Sequence, residues 1–357
     1  MDSTLLIQIY HSKLLIRILF IIACFVALAI IAGISVTVGQ DISFIESYEI
    51  IFNHIKGVTY PIRSEEWWKD YFIWKYVMPR IAVGIIAGCG LAVGGTIMQS
   101  VMSNPLADPY TTGISSGAGF GAVAAIIAGV SFSGIGSTYG IVTNAFIGSL
   151  IPAFIVILLS NRISSSPATM ILIGTAISYF FNSAITLMMV MADADSLQAA
   201  YLWQVGSLTG MTWEDTHVML FITVIGSIVA LIFSNSLNLL TIGENSAKSL
   251  GLDVNQFRML CLLLLSIMTA AIVSFTGTLG FIGLVAPHIT RLVVGSDNRI
   301  LIPASMVVGA VMLTGCDLIS RVISNVSDIP VGVVLSLFCS PIFLLLIIGR
   351  KSGRGVY

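Results

Sequence analysis

Charged side chains punctuate the chain at wide intervals and leave uncharged runs at 18–40, 81–107, 109–161, 163–192, 196–213, 216–243, 259–290, 300–316 and 329–349. A helix needs about 20 apolar residues to cross a bilayer. The 109–161 run is too long for one crossing and is interrupted by Ser131, Ser133, Gly134, Gly136 and Ser137, so it divides into two helices. The 259–290 run divides near Thr276 and Gly277 in the same way. The 196–213 run carries Gln198, Gln204, Gly206, Ser207, Thr209 and Gly210, a pattern too polar for lipid, and predicts a short or re-entrant helix. Ten crossings result, near 18–38, 81–101, 113–131, 140–160, 168–192, 216–236, 258–276, 278–294, 300–323 and 330–349. The pattern predicts one all-α polytopic membrane domain over residues 1–357.

Within these spans small residues recur four apart, at Gly84 and Gly88, Gly90 and Gly94, Gly117 and Gly121, Gly136 and Gly140, and Gly206 and Gly210. Such spacing lets helix backbones approach closely where water cannot drive association. The fifth span is polar for a lipid-facing helix, with Gly174, Thr175, Ser178, Asn182, Ser183 and Thr186, and such groups turn toward protein or a water-filled cavity. Trp67, Trp68, Tyr71, Trp74 and Tyr76 crowd the segment before the second span, and rings of this kind gather at membrane interfaces. The 39–80 stretch is therefore expected to rest partly on the outer membrane surface without forming a domain.

Composition agrees: 57% of residues are apolar and 9% charged, far below the roughly 25% charge of a soluble domain. A formal net charge of −1 excludes a strongly basic nucleic-acid binder. Near-neutrality conceals a separation across the membrane. Ten crossings put both termini on one side, and Lys13 and Arg17 before the first span with Arg350, Lys351 and Arg354 after the last make that side cytoplasmic. The same face takes Arg162, Lys248, Arg258, Arg291 and Arg299 against five acidic residues, while twelve acidic residues fall on the other side and in the ninth span. Ala27-Leu28-Ala29 has the form of a signal-peptidase site, but the apolar run continues past it, so an uncleaved first span is expected. Cys24, Cys89, Cys261, Cys316 and Cys339 are scattered through apolar runs and predict neither a disulfide framework nor a metal site.

Gly113-Ile114-Ser115-Ser116-Gly117 fits the serine-nucleophile pattern and Gly117-Ala118-Gly119-Phe120-Gly121-Ala122 the start of a dinucleotide fingerprint. Each needs a strand leading into a sharp turn, and both sit at the start of a membrane helix, so no enzyme is predicted. A secondary transporter or channel is the remaining alternative, but it needs proton-relay or charged residues deep in the bundle, and Asp317 stands almost alone there.

Three stretches carry a more specific signal. The first is Pro79-Arg80, then Met98-Gln99-Ser100 and Asn104-Pro105-Leu106-Ala107-Asp108-Pro109. The second is Leu239 to Gly251, and the third combines Gly280 to Arg291, which includes Pro287-His288, with Asp317-Leu318-Ile319-Ser320-Arg321 and Ile329-Pro330-Val331-Gly332-Val333. Together they resemble the FecCD permeases, membrane subunits of bacterial ATP-binding-cassette (ABC) importers for iron-siderophore, haem or cobalamin, over about residues 13–351. The resemblance implies a type II importer fold, plasma-membrane location, and a homodimer or a heterodimer with a close relative. It also implies an ATPase dimer below, bringing ATP and Mg, a substrate-binding protein above, and no cofactor or metal held by the chain itself.

Residue by residue, the resemblance places an ATPase-coupling helix in the 237–257 loop, with Gly243, Glu244, Ser246, Ala247, Lys248, Leu250 and Gly251. The residues fit a two-turn amphipathic helix from Glu244 to Leu250, closed by Gly251 and followed by an Asp253 N-cap. Arg80 and Arg321 match positions that meet the binding protein. Members that read R-x-P-R carry a further arginine where this chain has Val77, and Lys75 stands nearby. Asp317 and Arg321 lie four apart and are expected to pair with each other. The fifth span and the element after it imply a path lined by Gly174, Ser178, Asn182, Thr186 and Met189, with Met188, Met189 and Met191 as an apolar constriction. Asn104, Pro105, Pro287, His288, Arg291 and Asp317 fall in the family's structural motifs.

Overall fold

The computed structural model describes residues 3–39, 42–132, 139–163, 166–323 and 329–351. The chain forms α1 (Ser3–Thr37), α2 (Phe44–Ile55), α3 (Glu65–Phe72), a π-helical turn (Ile73–Val77) and α4 (Met78–Val101). A short 3-10 turn (Pro109–Thr112) leads into α5 (Ile114–Ala128), then α6 (Gly140–Arg162), α7 (Pro167–Val190), α8 (Ala194–Val205) and α9 (Trp213–Ile232). The remaining helices are α10 (Ser234–Ile242), α11 (Glu244–Ser249), α12 (Val254–Thr276), α13 (Ile282–Val294), α14 (Asn298–Ile323) and α15 (Val331–Lys351). Among the described residues, seven helices are long and apolar enough to cross a membrane, and three shorter apolar ones, in α5, α13 and α15, fall where the remaining crossings are expected. The turn expected between the third and fourth spans, and the Gly136 of one small-residue pair, lie outside the described residues.

The bundle is organised on α4, whose 18-residue apolar core is 83% buried. Its glycines make the crossings possible. A Cβ at Gly88 would lie 2.3 Å from the Gly309 carbonyl oxygen on α14, and a Cβ at Gly95 only 1.8 Å from that of Gly283 on α13. Gly117 and Gly121 bring α5 onto α6 in the same manner, against the carbonyls of Gly148 and Asn144 at 2.3 and 2.1 Å. The obstructing atoms are backbone, so no side chain can swing aside. Gly95→Ala should therefore push α4 from α13 at a cost of roughly 1–3 kcal/mol, read as a lowered thermal midpoint of the detergent-purified protein. Gly206 and Gly210 are a correction: α8 ends at Val205, and both lie in the following turn with φ of 82° and 79°, not on a helix face.

Two expected spans are shorter than predicted. α5 has 15 residues and α13 has 13, which at 1.5 Å per residue fall short of a bilayer. The shortfall lies at 129–131, after α5, and at 278–281, before α13, and the segments that lead into the two helices meet. The Tyr110 hydroxyl donates to the Leu279 carbonyl at 3.0 Å and accepts from the Leu279 N–H at 3.1 Å. Non-helical backbone at this depth is tolerated only when protein satisfies it, and the tyrosine does so. The motif residues add a second case. Pro287 lacks the N–H that would bond Gly283 in the preceding turn, and Gln99 Nε2 of α4 donates instead to the carbonyls of Gly283 and Leu284, at 3.4 and 3.1 Å. Asn104 closes the turn after α4 by accepting from the Leu106 N–H at 3.0 Å, and Pro105 sits inside that turn. Arg291 occupies the last turn of α13, where a cation suits the helix dipole, and His288 packs edge-on to Phe343.

At one end of the bundle α2 and α3 form a cap. Lys69 bridges Glu46 and Glu65 at 2.9 and 2.8 Å, and His54 Nδ1 lies 2.7 Å from Asp70 while its ring stacks on Trp74 at 4.0 Å. Lys69 holds the Glu46 carboxyl below its ordinary range. Trp213 of α9 donates to the Trp74 carbonyl at 2.9 Å, locking the cap to the bundle.

Candidate functional site

Where the irregular segments meet, a cavity of about 740 Å³ opens, lined from α5, α7, α8, α15 and the loop before α13. Its polar groups are the hydroxyls of Ser115, Ser116, Ser178, Thr278 and Ser336, the phenols of Tyr110 and Tyr201, and the amides of Asn182 and Gln204. No charged side chain is among the described lining residues. Such a wall can exchange hydrogen bonds with a bulky polar solute without fixing it by ion pairing. Among the described residues no three His, Cys, Asp or Glu side chains form a metal-binding group.

Of the five path residues expected in the sequence, Ser178 and Asn182 line this cavity. Gly174 does not. A Cβ there would lie 2.3 Å from the Thr111 carbonyl oxygen, so Gly174 is a packing glycine that seats the 3-10 turn on α7. Thr186 is exposed, its hydroxyl bonded to the Asn182 carbonyl at 2.9 Å. Met188 and Met189 pack in a cluster with Val123 and Ala200, the Met189 sulfur taking the Gln204 amide at 3.3 Å, while Met191 is 80% exposed. The three methionines thus do not converge on one constriction. Tyr110, Tyr201, Gln204, Thr278 and Ser336 have no such local pattern, because four separate segments bring them together; the Gln and Ser content around 196–213 is the one signal the sequence offers.

At the end of the bundle opposite the cap, α10 and α11 lie across the ends of α4, α12 and α14. α11 spans Glu244–Ser249, Gly251 follows its end with φ 88°, and the Asp253 side chain caps α12 by accepting from Gln256 N–H at 3.1 Å. Gly243 gives the turn before α11, with φ 127°. Ser246 and Lys248 are exposed, Lys248 pairing with Glu244 at 2.8 Å, and Leu250 is 65% exposed. Ala247 is a correction: it is fully buried in the chain's own core beside Leu240 and Val254, so it cannot face a partner. The Lys248 hydrogen bond, then Arg258, hold the Glu244 carboxyl below its ordinary range. Arg258 itself, in the sequence only one of the cytoplasmic cations, is buried and reaches the Glu244 carboxylate at 3.1 Å and the Val101 carbonyl at the end of α4 at 3.3 Å. Nearby, Asn298 links Ser100 of α4 to Asn238 of α10 at 3.1 and 2.9 Å, and Asn238 donates to Asp297 at 2.8 Å. Arg299, then Asn238, hold the Asp297 carboxyl down at about 2.

At the capped end, Arg80 is engaged rather than presented. Its Nη2 lies 2.9 Å from Asp317 Oδ1 and its Nε 3.0 and 3.1 Å from the two carboxylate oxygens, with both side chains nearly buried. Beyond the pairing expected within its own helix, Asp317 thus clamps α14 to α4. Arg321 lies one turn further along α14 and reaches the Val38 carbonyl at 3.5 Å. Lys75 is exposed, with Nζ 2.6 Å from the Tyr71 hydroxyl and over the Tyr71 and Tyr76 rings.

The chain is 38% identical over 275 residues to the cobalamin import system permease protein BtuC of Halobacterium salinarum, covering 77% of this chain and 72% of that protein. It is 36% identical to the hemin transport system permease protein HmuU of Yersinia pestis, covering 80% and 85%. With the iron(3+)-hydroxamate import system permease protein FhuB of Bacillus subtilis it shares 33% identity over 95% of this chain and 85% of that one. A solved structure of an inward-facing metal-chelate type ABC transporter superposes with a TM-score of 0.79 at 28% identity, covering 92% of this chain and 98% of that one. The family profile of the FecCD transport family matches residues 19–349, nearly the whole of the helical bundle, and the chain belongs to that family.

Proposed function

We propose that the chain is the permease of an ABC importer that moves a metal chelate or a corrinoid inward by alternating access. The observation that carries this reading is the uncharged, hydroxyl- and amide-lined cavity of about 740 Å³ beside α7. That volume suits a bulky solute, and the absence of ion-pairing groups suits a path that must release what it admits. The face of α7 about a quarter-turn from the cavity-lining Ser178 is exposed, with Leu172, Tyr179 and Val190 at 71, 71 and 78%, which supports pairing with a second, similar permease so that two cavities share one path. The end with α10 and α11 then faces the cytoplasm and an ATPase dimer, which supplies ATP and Mg. The end with α2 and α3 faces a substrate-binding protein, with Lys75 and Arg321 among the basic groups at that end, in the plasma membrane of the cell.

The test is uptake by proteoliposomes holding the permease, its ATPase and its binding protein, supplied in turn with cobalamin, haem and a ferric hydroxamate. ATP-dependent uptake of at least one is expected, and uptake of none despite ATP hydrolysis would reject the reading. Asn182→Trp, which fills the cavity from α7, should lower that uptake more than tenfold while the ATPase still co-purifies.

A further inference from the structure

α11 is a six-residue helix at the membrane surface, and little of its own structure can transmit force. What ties it to the spanning helices is Arg258. This arginine lies in the second turn of α12 with its side chain only 4% exposed, and its guanidinium reaches in two directions. Nη2 donates to Glu244, the first residue of α11, and Nε donates to the carbonyl of Val101, the last residue of α4. A buried guanidinium deprived of its carboxylate is strongly unfavourable, so Glu244 cannot move off Arg258 while the rest of the site stays in place. The C-terminal carbonyls of α4 carry partial negative charge, which attracts the same cation. α4 in turn crosses the whole bundle and is clamped at its far end by Arg80 on Asp317.

We infer that Arg258 is the positioning residue that carries displacement of α11 into α4. The inference rests on the proposed reading of α11 as the ATPase-coupling helix. Three groups form the linkage: the Glu244 carboxylate, the Arg258 guanidinium and the Val101 carbonyl. Lys248, on the exposed side of Glu244, lies outside it.

The test uses the permease–ATPase complex in nanodiscs, on a background with the five native cysteines replaced and Tyr201→Cys as the reporter. Tyr201 lines the cavity and is 61% exposed, so its labelling by a membrane-impermeant thiol reagent reports the cavity's opening. In the parent a non-hydrolysable ATP analogue should change the labelling rate about fivefold or more. Glu244→Gln and Arg258→Lys should each reduce that change to less than twofold, while ATPase co-purification and ATP hydrolysis persist. Arg299→Gln, which removes the exposed pair with Asp297 outside this linkage, should leave it intact. A purely structural role would lower yield and thermal midpoint but leave the nucleotide response of the folded fraction unchanged, and that result overturns the inference. Loss of the ATPase from Glu244→Gln overturns it as well, since Glu244 would then be a direct contact. No nucleotide response in the parent itself would instead defeat the coupling reading on which the inference rests.

Discussion

Leu250→Glu is expected to abolish ATP-driven uptake while leaving the permease folded. Leu250 follows α11 and is 65% exposed, and Ile242 just before α11 is 66% exposed, so two large apolar side chains flank the helix without cover in this chain. Burying a leucine in a partner's cleft contributes about 1.5–3 kcal/mol. A carboxylate at the same point forfeits that and must also be desolvated. A loss of at least 2 kcal/mol corresponds to roughly 30-fold weaker binding of the ATPase. Co-purification of the ATPase with the tagged permease and uptake into proteoliposomes both read it, and Leu250→Ala should show a smaller loss of the same kind. Ala247→Glu, the substitution that the amphipathic pattern alone would favour, tests something else. Ala247 is buried against Leu240 and Val254, so a glutamate there would dislodge α11 from its own core and lower stability as well as coupling.

The contrast between Leu250 and Ala247 shows what the sequence could and could not convey. Charge spacing alone located every long helix, because the bilayer imposes a length and a polarity on each that can be read locally. It overestimated α5 and α13, since a helix wrapped in protein need not span the hydrocarbon, and nothing in the residues near 130 or 278 states that protein surrounds them. Which side of a six-residue helix faces inward depends on how the chain enters and leaves it, here through Gly243 and Gly251 at positive φ. The cavity was half legible. Polar residues on one membrane helix pointed to Ser178 and Asn182, whereas Tyr110 and Thr278 become neighbours only through the meeting of two irregular segments, sealed by the Tyr110–Leu279 hydrogen bonds.

Asp317 met the same obstacle, because Arg80 lies 237 residues away in sequence, whereas the helix pattern points only to the arginine four residues on. The geometry of the clamp predicts the largest stability effect in the molecule. Asp317→Asn preserves the side-chain shape but leaves the Arg80 guanidinium, 11% exposed, without its carboxylate. Breaking a buried pair from one side costs about 3–5 kcal/mol, whereas replacing both partners with apolar side chains of similar volume is often neutral or better. Asp317→Asn should therefore lower the thermal midpoint of the detergent-purified permease sharply, and the double variant R80M/D317L should recover most of the loss. Arg80→Met alone leaves a buried carboxylate and should resemble Asp317→Asn. Were Arg80 instead a surface group kept for a binding protein, Arg80→Met would leave the midpoint unchanged and weaken only that association. Thermal melting of the isolated permease separates the two, because no binding protein is present in that measurement.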